Sequence, residues 1–455
     1  MLPEFKSYLE YESLKSIFEK YIHSNSALGL DNITPTIFKD NIMENFSIIQ
    51  RKVANNTYKF TPYKEKLLLK DRHSNPRLIS IPTIRDKVVL KALDLYLKDI
   101  FIEISQPLPQ TIIKNIKRNI NQFDSYLKLD VSQFYNTISH GLLIKMLENF
   151  NGDGIDKNAL DLIKKAIATP TKNFGEKLDS DFNVLGIPQG ISISNILASI
   201  FLLNFDEKLS NRNNFTYIRY VDDILILCNG ENLKTIQKEI MYEIEGIYNL
   251  KLNEKKTNYG KLELGFDFLG YFIYKNNEKF IFSVKDDNKK KFEDSLVKIF
   301  SKKKHSPMLS NEQFIFLINH KITGSISSNV TGDLERDFNY GWLFYYSQIN
   351  DTKYLYKLDW LVRHLLRKFN IIGVSTNEIK SFVKTFYEIK YNYESTGYIF
   401  RPDIYTTLER KDILINIFKV PESELKNNNQ IRKWYYKLVY RPILEYEKDI
   451  KTWTY

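Results

Sequence analysis

The sequence predicts an α+β fold, because strand-like segments and helix-like segments follow one another along the chain. Apolar residues recur with helical spacing over residues 1–60 and again from about 85 to 102. Short apolar runs of strand length occur at 66–70, at 77–81 and on both sides of 220–223. With 455 residues, 43% of them hydrophobic, the chain can bury enough apolar surface for about two to four lobes.

The amino-terminal part of the chain is predicted to contain a helical entry segment, a hairpin and a long helix. Over residues 1–60 the apolar side chains lie three or four positions apart, as in helices that bury one face. The runs 66–70 and 77–81 are separated by a polar segment, which predicts a basic hairpin. The helix from about 85 to 102 is followed by two prolines, which end it.

The centre of the chain is predicted to form an α+β unit, and the remainder is predicted to be helical. Residues 125–150 give the order strand, short loop and helix. From Leu185 a loop with glycines and a helix lead into the strand pair that holds Asp222 and Asp223. After about Lys285 the strand patterns fade, and an aromatic and basic region reaches the carboxyl end, so we expect helices there.

The composition limits the classes of partner and of site. The chain has 66 Lys and Arg against 55 Asp and Glu, and a net charge of +11 suits a polyanion. The single cysteine, Cys228, excludes an internal disulfide framework, and the six histidines have no cysteine partners for a zinc site. No segment has the apolar length of a signal core or a membrane span. We therefore expect a cytoplasmic protein without a membrane partner, and its oligomeric state stays open.

Tyr220-Val221-Asp222-Asp223 is the most informative segment, because it places adjacent carboxylates between two apolar strand-like runs. A buried carboxylate without a partner costs several kcal/mol or becomes protonated, so the pair requires a cation, and Mg²⁺ is the natural candidate. Neighbouring side chains on one strand point to opposite faces, so both carboxylates reach one site only at a bend. For an isolated Asp-Asp pair, a polar hairpin tip without further function would be the simpler interpretation.

A second carboxylate, Asp130, ends the apolar strand-like run that begins at Tyr126. If this strand lies beside the hairpin, Asp130 and Asp222 can hold two divalent ions about 3.5 to 4 Å apart, as in nucleotidyl transfer. A capping or turn-forming role for Asp130 is the alternative. The loop Gly186-Ile187-Pro188-Gln189-Gly190 lies between the two acidic segments, and its glycines allow a backbone to approach a nucleotide closely.

In order and spacing, these segments resemble a reverse transcriptase of the prokaryotic branch that includes group II intron and retron enzymes. The resemblance covers roughly residues 60 to 275 and includes Lys255-Lys256-Thr257 and Phe268-Leu269-Gly270-Tyr271. It implies a right-hand polymerase with fingers, palm and helical thumb plus a helical carboxyl-terminal region. It also implies RNA-templated DNA synthesis from deoxynucleoside triphosphates, with two Mg²⁺ ions as cofactors.

The resemblance assigns roles to individual residues. Asp130, Asp222 and Asp223 match the catalytic carboxylates that bind metal, and the carbonyl of Val131 is expected to join a metal shell. Tyr135 matches the aromatic residue beneath the incoming sugar, where its ring would clash with a 2′-hydroxyl. Further residues carried over are the nucleotide-binding Gln189, Arg77 and Lys70, the proton donor Lys256, and the primer-grip residues Phe268, Leu269, Gly270 and Tyr271.

The resemblance also suggests a division into regions. We expect a helical segment at 1–60, fingers and palm at 61–284 with fingers at about 61–124 and 150–185, a thumb-like helical region at 285–376 and a helical appendage at 377–455. Within the thumb-like region, aromatic residues interleaved with Arg and Lys could contact RNA or could equally pack between helices.

The expected function is therefore an RNA-directed DNA polymerase. The resemblance further suggests a cognate noncoding RNA as template and a role in defence against phages. Two alternatives stay open: template-independent or protein-primed DNA synthesis, and an RNA-binding or splicing-assistance protein with a secondary polymerase activity. A purely structural adaptor would leave the aspartates in the strands unexplained.

Overall fold

The computed structural model describes residues 3–22, 26–69, 76–104, 107–152, 154–173, 182–306, 308–330 and 335–442, with only the backbone at 328–330 and 335–338. These residues divide into two compact units. The first lies within Met1–Pro107 and Phe123–Gly260, and the second lies within Leu108–Gln122 and Lys261–Thr454.

The described residues contain short strands throughout both units. In chain order they are β1 (Tyr63–Leu68), β2 (Arg77–Ile81), β3 (Ser125–Asp130), β4 (Thr171–Lys172), β5 (Phe215–Tyr220), β6 (Asp223–Cys228), β7 (Asn258–Lys261), β8 (Phe266–Phe268), β9 (Tyr271–Asn276), β10 (Lys279–Val284), β11 (Ser325–Val330) and β12 (Glu335–Tyr340).

The remaining regular elements are mainly α-helices. In chain order they are α1 (Tyr11–Tyr21), α2 (Pro35–Asp40), α3 (Ile42–Ala54), α4 (Ile84–Ile100), α5 (Pro109–Asn119), α6 (Phe134–Thr137), α7 (His140–Glu148), α8 (Lys157–Ala168), α9 (Ser194–Phe201), α10 (Leu203–Ser210), α11 (Leu233–Met241), α12 (Asp286–His305), α13 (Asn311–Thr323), α14 (Trp342–Tyr345), α15 (Lys353–Lys368), α16 (Phe382–Tyr391), α17 (Thr407–Asn416) and α18 (Asn428–Tyr435). The α+β fold predicted from the sequence is confirmed.

The first unit is organised by an antiparallel sheet with strand order β5-β6-β3-β7. β6 pairs with β5 on one side and with β3 on the other. Both central strands are apolar and almost fully buried, which explains why the sequence shows them as continuous hydrophobic runs. A second sheet has the order β2-β1-β4, and the antiparallel pair β1–β2 is the predicted basic hairpin.

Helix α4 is largely buried in the core of this unit, and its bounds agree with the helix predicted at about 85 to 102. Its amino terminus is capped by the hydroxyl of Thr83, which accepts a hydrogen bond from the amide of Asp86 at 3.2 Å. The buried Asp86 carboxylate in turn accepts hydrogen bonds from the Tyr58 hydroxyl at 2.7 Å and the Thr61 amide at 3.0 Å. Burial raises the pKa of Asp86, and these donors oppose that rise.

The second unit contains helices and also a pair of strands that the sequence did not indicate. We expected a thumb-like helical region at 285–376, and α12, α13, α14 and α15 lie there, but β11 and β12 also pair antiparallel within that range. The sequence did not indicate this pair because β11 is short and polar. A Cβ atom on Gly324 would lie 2.1 Å from the carbonyl oxygen of Tyr340. The close contact between the backbones at these two positions therefore requires glycine. Helix α5 also belongs to this unit, although it precedes β3 in sequence.

Within the described ranges, the longest and most apolar helices still fall short of what a membrane span requires.

Candidate active site

The tip of the β5–β6 hairpin brings the predicted carboxylates together. Asp223 is the first residue of β6 and lies directly opposite Asp130, the last residue of β3. Asp222 lies in the turn, and its carbonyl accepts a hydrogen bond from the amide of Val131 at 3.2 Å. Asp130, Asp222 and Asp223 therefore lie at the same edge of the sheet, as the sequence motif predicted.

The turn that presents Asp222 has an unfavourable backbone conformation. Val221 has a φ of 58°, a region that β-branched residues rarely adopt. Such a conformation costs on the order of 1–3 kcal/mol and persists only when the surroundings enforce it. Here the Arg219 guanidinium donates a hydrogen bond from Nη1 to the carbonyl of Val221 at 2.9 Å.

Arg219 is itself fixed by a buried polar network that the sequence did not reveal. Its Nε donates to Oδ1 of Asp206 at 2.7 Å, and its Nη2 pairs with the other carboxylate oxygen. The Tyr217 hydroxyl donates to the same Asp206 oxygen at 2.6 Å. The available signal was an arginine and a tyrosine two positions apart within an otherwise apolar strand, which places both on one face.

The site carries an excess of negative charge. Burial, followed by the negative charge of Asp130, raises the pKa of Asp222. Burial, followed by the negative charge of Asp222, raises the pKa of Asp223 to about 6. Lys256 lowers both values but offsets only part of the rise. Additional positive charge beside Asp222 and Asp223 would therefore favour their ionised forms.

Lys256 pairs directly with Asp130. Its Nζ lies 2.8 Å from Oδ1 and 3.0 Å from Oδ2 of that residue. The loop that carries Lys256 is held by the Asn253 amide, which donates to the Asp130 carbonyl at 2.8 Å. The Lys256 side chain is 60% exposed, so this ion pair contributes at most about 1 kcal/mol and can open readily.

The donor chemistry of the cluster suits a hard divalent cation, because carboxylate oxygens are the ligands that Mg²⁺ prefers. Lys128 and Lys256 both lower the pKa of Asp223, so positive side chains already lie near the cluster. The side chains are not arranged as a finished metal cage: across the residues described, no set of three or more carboxylate, imidazole or thiol groups could hold an ion. The buried, mutually repelling carboxylates nevertheless fit a cation, since its charge would relieve the repulsion.

Tyr135 lies beside this cluster. Its hydroxyl donates a hydrogen bond to Oδ1 of Asn195 on α9 at 2.7 Å. Burial raises the pKa of Tyr135, and the nearby negative charge of Asp222 raises it further. The carbonyl of Tyr135 accepts a hydrogen bond from the amide of Ile187 at 2.7 Å. This bond joins the backbone at Tyr135 to the glycine-containing loop. Asn195 was not identified from the sequence.

The loop that carries Gln189 packs against β2. The Gln189 carbonyl accepts a hydrogen bond from the Ser80 amide at 2.7 Å. Gly190 has a φ of 100°, and a Cβ atom there would lie 2.7 Å from Ile79 Cγ2, so glycine is required at this contact. Arg77, on the same strand, is close enough to lower the pKa of Asp222. Lys70, the other predicted triphosphate-binding residue, lies outside the described residues.

The predicted primer-grip residues form a tight hairpin in the second unit. Leu269 and Gly270 have φ values of 47° and 79° and connect β8 to β9 as the two residues of the turn. Phe268 and Tyr271 are buried on either side of them. The Tyr345 hydroxyl donates a hydrogen bond to the Leu269 carbonyl at 3.0 Å, so the hairpin tip is held in place.

The aromatic residues of the predicted thumb divide into two groups. Trp342 is buried and stacks on Phe292 with ring centroids 4.4 Å apart, so helix packing accounts for it. On α15, however, Tyr356 is 61% exposed and Trp360 is 55% exposed. Arg363 is exposed on the same helix. Trp360 also stacks on His364 with ring centroids 5.1 Å apart, and the exposed surface of these side chains can contact a nucleic acid.

Part of the chain matches a known protein family. Residues 64–273 match the sequence model of the family described as reverse transcriptase (RNA-dependent DNA polymerase). Protein YkfC of Escherichia coli K12 is 22% identical over 301 residues, which are 55% of this chain and 77% of YkfC. A putative COX1/OXI3 intron 2 protein of Saccharomyces cerevisiae is 26% identical over 198 residues, or 41% of this chain and 22% of that protein.

A third relative is the uncharacterized 91 kDa protein in the cob intron of Schizosaccharomyces pombe, 23% identical over 229 residues. This chain spans 22% and 27% of the two intron proteins. Among solved structures, apo telomerase from Candida tropicalis matches 55% of this chain and 60% of its own, with 15% identity and a TM-score of 0.37. Telomerase from Candida albicans with an RNA fragment matches 93% and 69%, with 14% identity and a TM-score of 0.41.

Proposed function

We propose that this chain, which carries a reverse transcriptase domain over residues 64–273, copies an RNA template into DNA with the help of two magnesium ions held by Asp130, Asp222 and Asp223. The observation that carries the proposal is the pairing of Asp130 with Asp223 beside the tip that presents Asp222. Bound magnesium would supply Lewis-acid activation of the primer hydroxyl and would neutralise the departing pyrophosphate.

The side chains around the carboxylates supply the remaining functions. Arg77 and Gln189 bind the incoming nucleotide. Arg77 lies on β2, and Gln189 lies on the loop that is hydrogen-bonded to β2 next to the acidic cluster. Lys256 donates a proton to the leaving pyrophosphate after it moves away from Asp130. The β8–β9 hairpin tip holds the primer, and the carbonyl of Val131 joins a metal shell.

We further propose a cytoplasmic role in phage defence, with a cognate noncoding RNA as template. The net charge of +11 and the exposed aromatic and basic face of α15 support binding to RNA. The biological role itself rests on the likeness of the sequence motifs to prokaryotic reverse transcriptases.

The proposed activity is tested by supplying the purified chain with an RNA template, an annealed DNA primer and deoxynucleotides. We expect primer extension that requires both the RNA and a divalent metal. Extension without a template, or product attached covalently to the protein, would instead favour one of the alternative modes of synthesis. Absence of any incorporation with every primer supplied would contradict the proposal.

Tyr135 provides a test of sugar discrimination. Tyr135→Ala removes the ring that we expect to clash with a 2′-hydroxyl, so incorporation of ribonucleotides relative to deoxynucleotides should rise by about 10–200-fold, as for other steric pockets. Tyr135→Phe is the matched control, because it keeps the ring and loses only the hydrogen bond to Asn195. Single-nucleotide incorporation kinetics measure both. An unchanged ratio in Tyr135→Ala would assign the ring to core packing.

The stability of the protein reports on the charge of the cluster and on metal binding, and it needs no catalysis. The pH dependence of stability without metal reports on Asp223. The folded-state pKa of Asp223 is raised to about 6, so its protonated form favours folding. Without metal, its contribution to the free energy of unfolding is therefore present below about pH 4 and is lost as the pH rises through about 6. Asp223→Asn should remove this dependence, and the difference between its unfolding curves and those of the unchanged chain isolates the effect.

At neutral pH, magnesium at about a hundredfold excess over its dissociation constant should stabilise the unchanged chain by about 2.7 kcal/mol. The same addition should stabilise the Asp222→Asn variant much less. Equal stabilisation of both proteins would place the magnesium elsewhere.

A further inference from the structure

The second unit contains a cavity of about 420 Å³ that takes no part in the proposed polymerase reaction. Residues from α13 and α17 and from the segment between them contribute to its walls, which are mainly aromatic and aliphatic. A volume of this size is typical of sites for small organic ligands.

The aromatic side chains in the cavity wall meet both face to face and edge to face. Phe400 stacks on Tyr405 with ring centroids 5.4 Å apart, and Phe316 meets Phe400 nearly at right angles at 5.5 Å. His320 lies between Phe316 and Phe400, with its ring centroid 3.9 Å and 4.4 Å from theirs. Such a wall suits a flat, aromatic ligand.

His320 adds a polar requirement to this apolar wall. Its Nδ1 lies 2.7 Å from the carbonyl oxygen of Phe316. Because a carbonyl only accepts hydrogen bonds, Nδ1 carries the proton, and Nε2 of the neutral ring is an acceptor. Burial lowers the pKa of His320 to about 4, so the ring stays neutral. In the part of the chain that is described, Nε2 is buried and has no hydrogen-bond partner.

Two further polar groups in the wall narrow the choice of ligand. Lys380 Nζ already donates to the carbonyl of Tyr398 and has further N–H groups for a ligand, and burial lowers its pKa. Its positive charge disfavours a cationic ligand such as a guanidinium, which aromatic walls alone would accept. Glu312, an exposed residue at the rim of the cavity whose carboxylate also interacts with Ser310, provides an acceptor for an exocyclic amino group. A planar ring with both donors and acceptors at its edge satisfies all these groups.

We propose that this cavity binds one unstacked nucleobase, supplied either by a single-stranded RNA or by a free nucleotide. The base lies against the aromatic wall and donates an N–H group to Nε2 of His320. This site is separate from the proposed catalytic residues, all of which lie outside the cavity wall. It gives the second unit a means of recognising unpaired RNA or sensing nucleotides.

The test compares a cavity-filling variant with a matched surface variant of the full chain. Ile417→Trp fills the cavity without removing a polar group, whereas Ile372→Trp makes the same change at a side chain that is 79% exposed and outside the wall. Each protein is titrated calorimetrically with AMP, GMP, CMP and UMP in the absence of divalent metal. Each is also cross-linked to a short single-stranded RNA that contains thiouridine, and the linked peptide is identified by mass spectrometry.

We expect Ile417→Trp to lose binding or cross-linking by about tenfold or more, as when stacking of one base is removed, and Ile372→Trp to match the unchanged chain. Saturable binding of a monophosphate identifies a free nucleotide as the source, whereas cross-linking without monophosphate binding identifies RNA. His320→Phe should lose affinity, and His320→Gln, which keeps an acceptor, should recover part of it. No binding of any probe, or equal binding by Ile417→Trp and the unchanged chain, would overturn the proposal. Extension of a pre-annealed primer by one nucleotide reports separately on the proposed polymerase.

Discussion

Asp222→Asn is expected to reduce DNA synthesis by about three orders of magnitude or more, since a catalytic metal contributes several kcal/mol to the transition state. The substitution keeps the size of the side chain and removes the negative charge that would hold the metal. Because burial and Asp130 already raise the pKa of Asp222, the neutral amide also relieves repulsion in the folded protein. We therefore expect the unfolding midpoint without metal to stay equal or rise while activity is lost, with primer-extension rates as the measure.

Asp161→Asn is the matched control, because it makes the same chemical change at a partly exposed carboxylate that pairs with Lys165 on the same helix. It should leave primer extension unchanged. Asp223→Asn should lose less activity than Asp222→Asn. If Asp222→Asn retains a tenth or more of the activity, the carboxylate at the hairpin tip is not a catalytic ligand. If a cellular effect persists in Asp222→Asn while RNA binding is intact, the RNA-binding alternative gains support over the polymerase.

The parts of the structure that the sequence predicted are those formed by local patterns. The β5–β6 hairpin follows from two apolar runs around a polar turn, and the bounds of α4 follow from helical spacing. The reverse transcriptase resemblance, drawn from short motifs in a fixed order, is confirmed by the family match over residues 64–273. Together with the α+β content of the described residues, that match supports the predicted polymerase-like fold.

The parts that the sequence did not predict depend on contacts between distant residues. Arg219 and Asp206 lie on different elements, and nothing in either segment indicates its partner. His320 and Phe400 are brought together across eighty positions of sequence. The grouping of α5 with the second unit likewise depends on tertiary packing rather than on its own helical pattern. Such pairings leave no periodic signal, so a single sequence does not reveal them.

Arg219→Met should cause the second large effect, and it should act through the turn rather than through the reacting atoms. The variant removes the donor to the Val221 carbonyl and leaves the Asp206 carboxylate without its buried partner. Breaking such a pair typically costs about 3–5 kcal/mol, and the partial exposure of Asp206 places our expectation near the lower value. We expect a correspondingly lower urea midpoint for the first unit and a severe loss of primer extension. Arg212→Met, which disrupts a surface pair with Glu239, should change stability by at most about 1 kcal/mol.

Two double variants separate the loss of stability from the loss of turn geometry. Asp206→Leu combined with Arg219→Met replaces both charges, so it should recover much of the stability without recovering activity. Val221→Gly combined with Arg219→Met removes the penalty for a positive φ at that position, so it should recover part of the activity. If Arg219 only stabilises the fold, the opposite pattern is expected. Activity would then return together with stability when Asp206→Leu is combined with Arg219→Met, and Val221→Gly would restore no activity. Arg219 is therefore a positioning residue only if activity follows the turn at Val221 and not the free energy of unfolding.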